Sequence, residues 1–478
     1  MRSLDQKIAV SVVYVAAMFM AIMDATIVNV ALPTLGRRFG VAPDAVDTVA
    51  IGFLVSLAVF IPVSGWLGDR LGGKRVLLGA VAVFTAASAA CGTATSLTEL
   101  VIFRVLQGVG GGLMTPVGMA MLFRVFPPEE RVRASSILTI PTAFAPAAGP
   151  VLGGLLVTDA SWRWVFYVNV PIGLAALVFG AVALDRHLQP STAPFDRLGF
   201  ALAGVGFGSL MYGVSEGPIR GWGTTGVTVT LVAGVALVVA LVAVELRRAA
   251  PLVDLRLFTN RSFRSASLVT LLAGVAFLGT LYGLALFYQD GLGLTALGSG
   301  LSTFPEAVGV MLGVQLLTRR LYSRIGPRRL MAGGLVAVAV AMVLLSRVDG
   351  VGALWWSRLF VFLMGLGMAC VFVPSQTVAF ATMPPATTGR ASTLFNAQRQ
   401  IGGAVGVGLL TTVIAAVGPL HRVAGRLRPD LGAYHAAFLA AAAMALMAAG
   451  AALTVRDADV AATMTGRPRD RRAAEAVT

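Results

Sequence analysis

The stretch Phe19–Pro33 reads FMAIMDATIVNVALP and lies inside an apolar run from Ile8 to about Leu32, long enough to cross a bilayer. Asp24 stands in the middle of that run. A carboxylate at the centre of a membrane helix costs about 2.5–3.5 kcal/mol on insertion scales, and such residues face a bundle interior or a watery cavity. Helical spacing puts Ala17, Ala21, Val28 and Ala31 on the face of Asp24, and small residues let neighbouring helices approach. The acid therefore points into protein rather than lipid. It is either a functional carboxylate, the default for an intramembrane acid, or half of a permanent ion pair that serves packing alone.

The rest of the chain belongs to the same class. Of 478 residues, 57% are hydrophobic and 12% charged, against about 25% charged in soluble domains, and the mean hydropathy is +0.84. This is the composition of a polytopic membrane protein. Residues 1–7 are too short for the charged region and cleavage site of a signal peptide, so the first helix is expected to remain in the mature protein. Cys91 and Cys370 are far apart in sequence, and two thiols with His187, His421 and His435 make no metal site. No metal and no organic cofactor is expected.

Apolar runs of about 20 residues fall near 8–33, 46–68, 76–95, 98–123, 133–157, 164–184, 196–216, 223–245, 265–288, 297–318, 329–347, 353–377, 390–416 and 432–455, fourteen in all. With the N-terminus in the cytoplasm, the inner loops collect Arg70, Lys74 and Arg75; Arg124, Arg131 and Arg133; Arg247, Arg248, Arg256, Arg261 and Arg264; and Arg319, Arg320, Arg324, Arg328 and Arg329. Outer loops carry fewer, Arg422, Arg426 and Arg428 forming their main cluster. That asymmetry is the positive-inside rule, and it accounts for the +15 net charge as topology rather than as a nucleic-acid surface. Both termini are placed in the cytoplasm, and the polar, basic tail 456–478 is expected to be disordered.

The chain repeats itself. Leu71-Gly72-Gly73-Lys74-Arg75 and Ile325-Gly326-Pro327-Arg328-Arg329 are 254 positions apart, as are Arg104 and Arg358, while Arg133-Ala134-Ser135-Ser136 and Arg390-Ala391-Ser392-Thr393 are 257 apart. Matches in register argue for duplication, a common plan for transporters. The expected architecture is all-α: a six-helix bundle over 1–190, an inserted hairpin of helices 7 and 8 over 191–250, and a second six-helix bundle over 251–455.

Arg104 lies about seven residues inside the fourth span and Asp24 about eight inside the first, so both sit roughly 10–12 Å below the outer surface at about 1.5 Å per residue. They can meet if those helices adjoin. A guanidinium favours the ionised carboxylate and burial the protonated one, a balance suited to proton exchange; the other reading of Arg104 is snorkelling to the interface. Glu306 shares a face with Ser302, Gly309 and Gly313, and Arg399 with Ser392, Asn396, Gly403 and Gly406. Glu306, Asn396 and Arg399 are candidates for a second proton or substrate site or for a lock between halves, with packing alone as the alternative. Arg358, after Trp355 and Trp356, reads as an interfacial snorkelling residue.

These residues carry a family resemblance. The chain resembles the major facilitator superfamily and, within it, the fourteen-helix drug:proton antiporter branch. Gly65-Trp66-Leu67-Gly68-Asp69-Arg70-Leu71-Gly72-Gly73-Lys74-Arg75 is similar to the superfamily's loop between helices 2 and 3. The resemblance implies a cytoplasmic gate motif in which Gly65, Asp69, Arg70, Gly72, Lys74 and Arg75 take part. Arg104-Val105-Leu106-Gln107-Gly108 resembles the helix-4 motif, whose Arg is thought to tune proton transfer. Gly149, Pro150, Gly153 and Gly154 resemble the antiporter motif of helix 5, although Ala145-Pro146 stands where the family more often has Gly. MDATIVNVALP and Trp162–Pro171 resemble two further signatures of the branch.

An ATP-driven pump is excluded within this chain, because neither Lys7 nor Lys74 is followed by Ser or Thr as a phosphate-binding loop requires. No nucleophile–base pair or catalytic cluster is apparent. The resemblance implies a monomeric carrier in the bacterial cytoplasmic membrane, driven by the proton gradient, that exports amphipathic or cationic drugs. Export of a lipid, another envelope component or a natural product on the same fold is the alternative.

Overall fold

A computed structural model describes residues 5–41, 43–185, 194–248, 251–384, 386–418, 420–423 and 426–464. Eleven of the described helices are long and apolar enough to cross a membrane, and two bent pairs bring the number to thirteen. The run Leu297–Leu345 is itself broken at Gly326. Fourteen segments result, as hydropathy predicts, and they are named α1–α14.

Local sequence sets where they begin, bend and end. α1 is Gln6–Phe39, with Asp5 accepting from the Lys7 amide at 2.9 Å and Gly40 closing the helix at φ 65°. α2 consists of Thr48–Phe60 and Val63–Leu71, bent by 56° beside Pro62, where the helix loses an amide donor and the ring crowds the preceding turn. α3 (Gly73–Thr93) and α4 (Leu97–Val125) follow, the latter capped by Ser96 accepting from the Glu99 amide at 3.2 Å. α5 (Arg131–Asp159) bends by 41° between its arms Pro128–Pro146 and Val151–Asp159, and α6 is Trp164–Ala183. α7 (Arg197–Arg220) and α8 (Thr225–Arg247) form a hairpin. α9 (Arg261–Leu286), α10 (from Ala296), α11 (to Leu345), α12 (Leu354–Phe380), α13 (Thr388–Val417) and α14 (Leu431–Ala452) complete the set. A short antiparallel β-hairpin, Leu420–Val423 with Arg426–Pro429, joins α13 to α14.

Two expectations about connections are corrected. Residues 319–325, expected as loop, are helical: α10 runs on through a π-turn at Gly313–Thr318 and stops only at Gly326. Pro327 then opens α11, a position where its missing amide costs nothing. The tail is not disordered throughout, because Asp457–Met464 forms a 3-10 turn with Val460 and Thr463 buried. Asp457 accepts from the Arg328 amide at 3.0 Å, and the Tyr322 and Thr463 hydroxyls lie 2.8 Å apart. Those long-range contacts order a segment that is polar in sequence. Residues 465–478 lie outside the described residues.

The repeat is visible in the backbone and in the packing. Gly72 (φ 86°, ψ 138°) and Gly326 (φ 81°, ψ 158°) take the same left-handed conformation 254 positions apart, a region that glycine enters without a steric penalty. α1 packs on α4, α5 and α6, α3 on α4 and α6, and α2 on α4. The same pairs recur eight helices later, with α9 on α12, α13 and α14, α11 on α12 and α14, and α10 on α12. α7 lies outside against α2 and α13, and α8 packs chiefly on α7.

Both ends of the described chain lie at one end of the bundle, where the two sets of helices meet. The Ser64 and Thr393 hydroxyls are 3.0 Å apart, Thr377 donates to Ser135 at 2.9 Å, and Phe123 stacks on Phe380 with centroids 4.4 Å apart. The turn Pro128–Glu130 touches Asp457–Met464 at the same end. α4–α13, α5–α10 and α5–α12 complete the junction.

Candidate functional site

Asp24 is fully buried, and helix spacing explains what surrounds it. Ala17, Val28 and Ala31, on its face of α1, are also fully buried, so the acid faces α3, α4 and α6 rather than lipid. One carboxylate oxygen accepts from Arg104 Nη1. The other accepts from Gln107 Nε2 at 2.9 Å and from Asn169 Nδ2 at 3.0 Å. Arg104, one turn before Gln107 on α4, also donates from Nη1 to Gln107 Oε1 at 2.7 Å and from Nε to the Val49 carbonyl at 3.2 Å. Its guanidinium lies 4.2 Å from the centre of the Phe53 ring, within cation–π range. Ser88 of α3 accepts from Gln107 and Asn169 at 3.0 and 3.2 Å, and donates to the Phe166 carbonyl at 3.0 Å.

An ion pair buried this deeply is tolerable only when its remaining donors and acceptors are satisfied, and these partners satisfy most of them. Toward the end of the bundle away from the termini, an apolar cluster that includes Ile27, Val28, Val49, Cys91 and Phe166 covers the site. Asp24 and Arg104, at matching depths in α1 and α4, therefore touch. Ser88 and Asn169 were not reachable that way, since neutral polar residues do not stand out within a helix. The signal available was Asn169 inside the Trp162–Pro171 signature.

Glu306, Asn396 and Arg399 each have their own surroundings. Glu306 lies on the α10 face that meets α12, buried, with Oε1 lacking a hydrogen-bond partner among the described residues. Asn396 of α13 donates from Nδ2 to the Met119 sulfur of α4 at 3.2 Å and to the Ser392 carbonyl at 2.9 Å. Arg399 of α13 lies within electrostatic reach of Tyr14 on α1. Arg358 is half-buried rather than snorkelling free, with weak contacts of 3.4 and 3.3 Å from Nε and Nη2 to Ser302.

The sequence matches the model of the Major Facilitator Superfamily over residues 14–407. The chain belongs to that superfamily. It is 33% identical over 413 residues to the Multidrug resistance protein B homolog of Mycobacterium tuberculosis, covering 84% of this chain and 75% of that one. To the Multidrug export protein EmrB of Escherichia coli it is 31% identical over 415 residues, covering 85% and 80%. Among solved structures, the human organic anion transporter MFSD10 (TETRAN) aligns with a TM-score of 0.66 at 16% identity, covering 93% of this chain and 99% of that one. That last likeness is one of fold.

The superfamily's loop motif has concrete contacts here. Asp69 pairs with Arg124 of α4 at 2.8 Å and sits beside Gly389 at the start of α13, where the exposed amides of a helix N-terminus favour negative charge. Gly65 lets α2 touch α13: a Cβ there would come within 2.7 Å of Thr393 Oγ1 and 3.4 Å of the Gly389 carbonyl. Lys74 turns the other way and donates to the Ala181 and Leu184 carbonyls at the end of α6, which have no partners within the helix. Arg70 lies over the Trp66 ring and Arg75 is exposed. In the antiporter motif, Gly149 and Gly153 press α5 against Thr26, Ile27 and Val30 of α1, while Gly154 faces open space. The side chain of Pro150 lies outside the described residues.

Proposed function

We propose that this chain is a carrier of the bacterial cytoplasmic membrane, both termini in the cytoplasm, that exports amphipathic or cationic drugs in exchange for protons. The observation that carries this reading is Asp24, a carboxylate held deep in one helical set by Arg104, Gln107 and Asn169. The names of the relatives, multidrug export and multidrug resistance proteins, supply the substrate class. We read α1–α6 and α9–α14 as the two halves that move, with α7–α8 inserted between them.

Protonation of Asp24 removes its Coulombic hold on Arg104, which retains Gln107, the Val49 carbonyl and the Phe53 ring. The tie between α1 and α4 then slackens. α1 grips α5 at Gly149 and Gly153, and α5 meets α10 and α12 of the other half, so a shift at Asp24 has a packed route to the junction. The contacts of Gly65, Ser64 and Asp69 with α13 hold the cytoplasmic end shut in the outward-facing state. Glu306, buried on the other half, is with Asn396 and Arg399 the candidate second site for a proton or for a substrate.

The test is ethidium efflux from proteoliposomes under an imposed pH gradient, comparing the wild type with Asp24→Asn. Gradient-driven efflux that disappears in the variant is the expected result. Undiminished coupled efflux in Asp24→Asn would remove Asp24 from the mechanism. No efflux from folded wild-type protein would overturn the drug reading and direct attention to lipid or natural-product export.

A further inference from the structure

On the second half, α10, α11 and α12 enclose a cleft of about 490 Å³ that no step of the transport reading uses. Its floor is made by Gly334 and Gly367, where the backbones of α11 and α12 come together. Its wall is apolar apart from Cys370 and one charged residue, Arg329. Val340 and Leu363, at its rim, are 52% and 38% exposed, so the cleft opens sideways toward the surface that lipid covers. The π-turn at Gly313–Thr318 brings Leu317 to its lining, and such turns concentrate at functional sites.

The dimensions select an occupant. The cleft follows α11 from Arg329 to Leu344, roughly 22 Å at about 1.5 Å per residue. One leaflet's share of a hydrocarbon core about 30 Å thick is about 15 Å, so a full acyl chain fits along it. Arg329 stands at the end bearing the basic loop, exposed and with no ion pair among the described residues, and Arg328 beside it is exposed too. Basic residues at that level attract anionic lipid headgroups.

We propose that the α10–α11–α12 cleft binds one anionic phospholipid, an acyl chain lying along Gly333 and Gly334 and the phosphate on Arg329. This site is independent of the drug-export reading and stands or falls without it. Gly333 makes the slot testable, because a Cβ there meets nothing within 4 Å. Gly333→Leu begins its side chain in open space and is expected to occupy the cleft.

The experiment titrates detergent-purified full-length protein with phosphatidylglycerol or phosphatidylcholine of equal chain length and counts bound lipid by native mass spectrometry. Melting temperatures confirm that each variant is folded. Wild type is expected to prefer phosphatidylglycerol. Arg329→Gln is expected to reduce that preference about fivefold, the size of one basic contact with an anionic surface, and Gly333→Leu to reduce retention of both lipids. Arg247→Gln, at the same end of the bundle but remote from the cleft, is expected to change neither. The proposal is overturned if wild type shows no headgroup preference, if Arg329→Gln and Arg247→Gln act alike, or if Gly333→Leu retains lipid as wild type does.

Discussion

The two six-helix sets share one packing plan and differ in what they bury. In α1–α6 a carboxylate and a guanidinium meet in a lattice of Gln107, Asn169 and Ser88. In α9–α14 the helix corresponding to α1 contains no acid. Its interior contacts are of another kind, Phe277 edge-on to Phe372 and the Thr280 hydroxyl on the Met342 sulfur. Arg358, 254 positions after Arg104, makes weak contacts to Ser302, and Glu306, the buried acid of that set, keeps one oxygen unpartnered among the described residues. Duplication preserved the helix crossings and left the polar interior free to diverge. One half became a dense charge cluster, while the other buries an acid with an unpartnered oxygen among the described residues.

The sharpest way to break this contrast is to remove the two corresponding arginines. Arg104→Ala strands the buried Asp24 charge and is expected to cost about 3–5 kcal/mol of stability, whereas Arg358→Ala stays within about 1 kcal/mol. Thermal unfolding in detergent measures both, and adding Asp24→Asn should recover much of the first loss. Equal losses at the two arginines would dissolve the contrast.

The crossings should behave alike in both halves. Gly406 follows Gly149 by 257 positions and meets Val275 of α9 as Gly149 meets Thr26 of α1. Gly149→Ala and Gly406→Ala are each expected to destabilise by about 1–3 kcal/mol through overpacking. Gly154→Ala, into open space, should be neutral or stabilising by up to about 1 kcal/mol. Glu306→Met removes the unpartnered oxygen and should raise stability by ~1 kcal/mol; a clear loss would mean that the acid is better accommodated than its surroundings indicate. The smallest effects belong to two acids at the end of the bundle that holds both termini, Asp69 beside Gly389 and Asp457 of the C-terminal turn against the Arg328 amide, where Asp69→Asn and Asp457→Asn should each cost up to about 1 kcal/mol and less as salt increases. Melting curves at two ionic strengths check this.

Much of this was legible in the chain itself. Hydropathy located fourteen spans, and Gly72 and Gly326 marked the repeat, because length, apolarity and glycine at a left-handed turn are local properties. Asp24 and Arg104 could be paired because charges in a membrane are rare enough for their depth to identify them. Ser88 and Asn169 carry no such rarity. Asp457–Met464 reads as tail because its order comes from Tyr322 and the Arg328 amide, more than a hundred residues earlier. The helical continuation to Gly326 was hidden by Arg319, Arg320 and Arg324, charges that end a hydropathy run without ending a helix.

The α7–α8 hairpin makes the molecule lopsided. α7 lies along α2 through Gly204 and Gly208, while Val214 and Trp222 reach Gly408 of α13, so one seam between the halves is roofed. The opposite seam, where Phe144 of α5 meets Phe304 of α10, has no such cover among the described residues. For a compound dissolved in the bilayer, the protein has a front and a back.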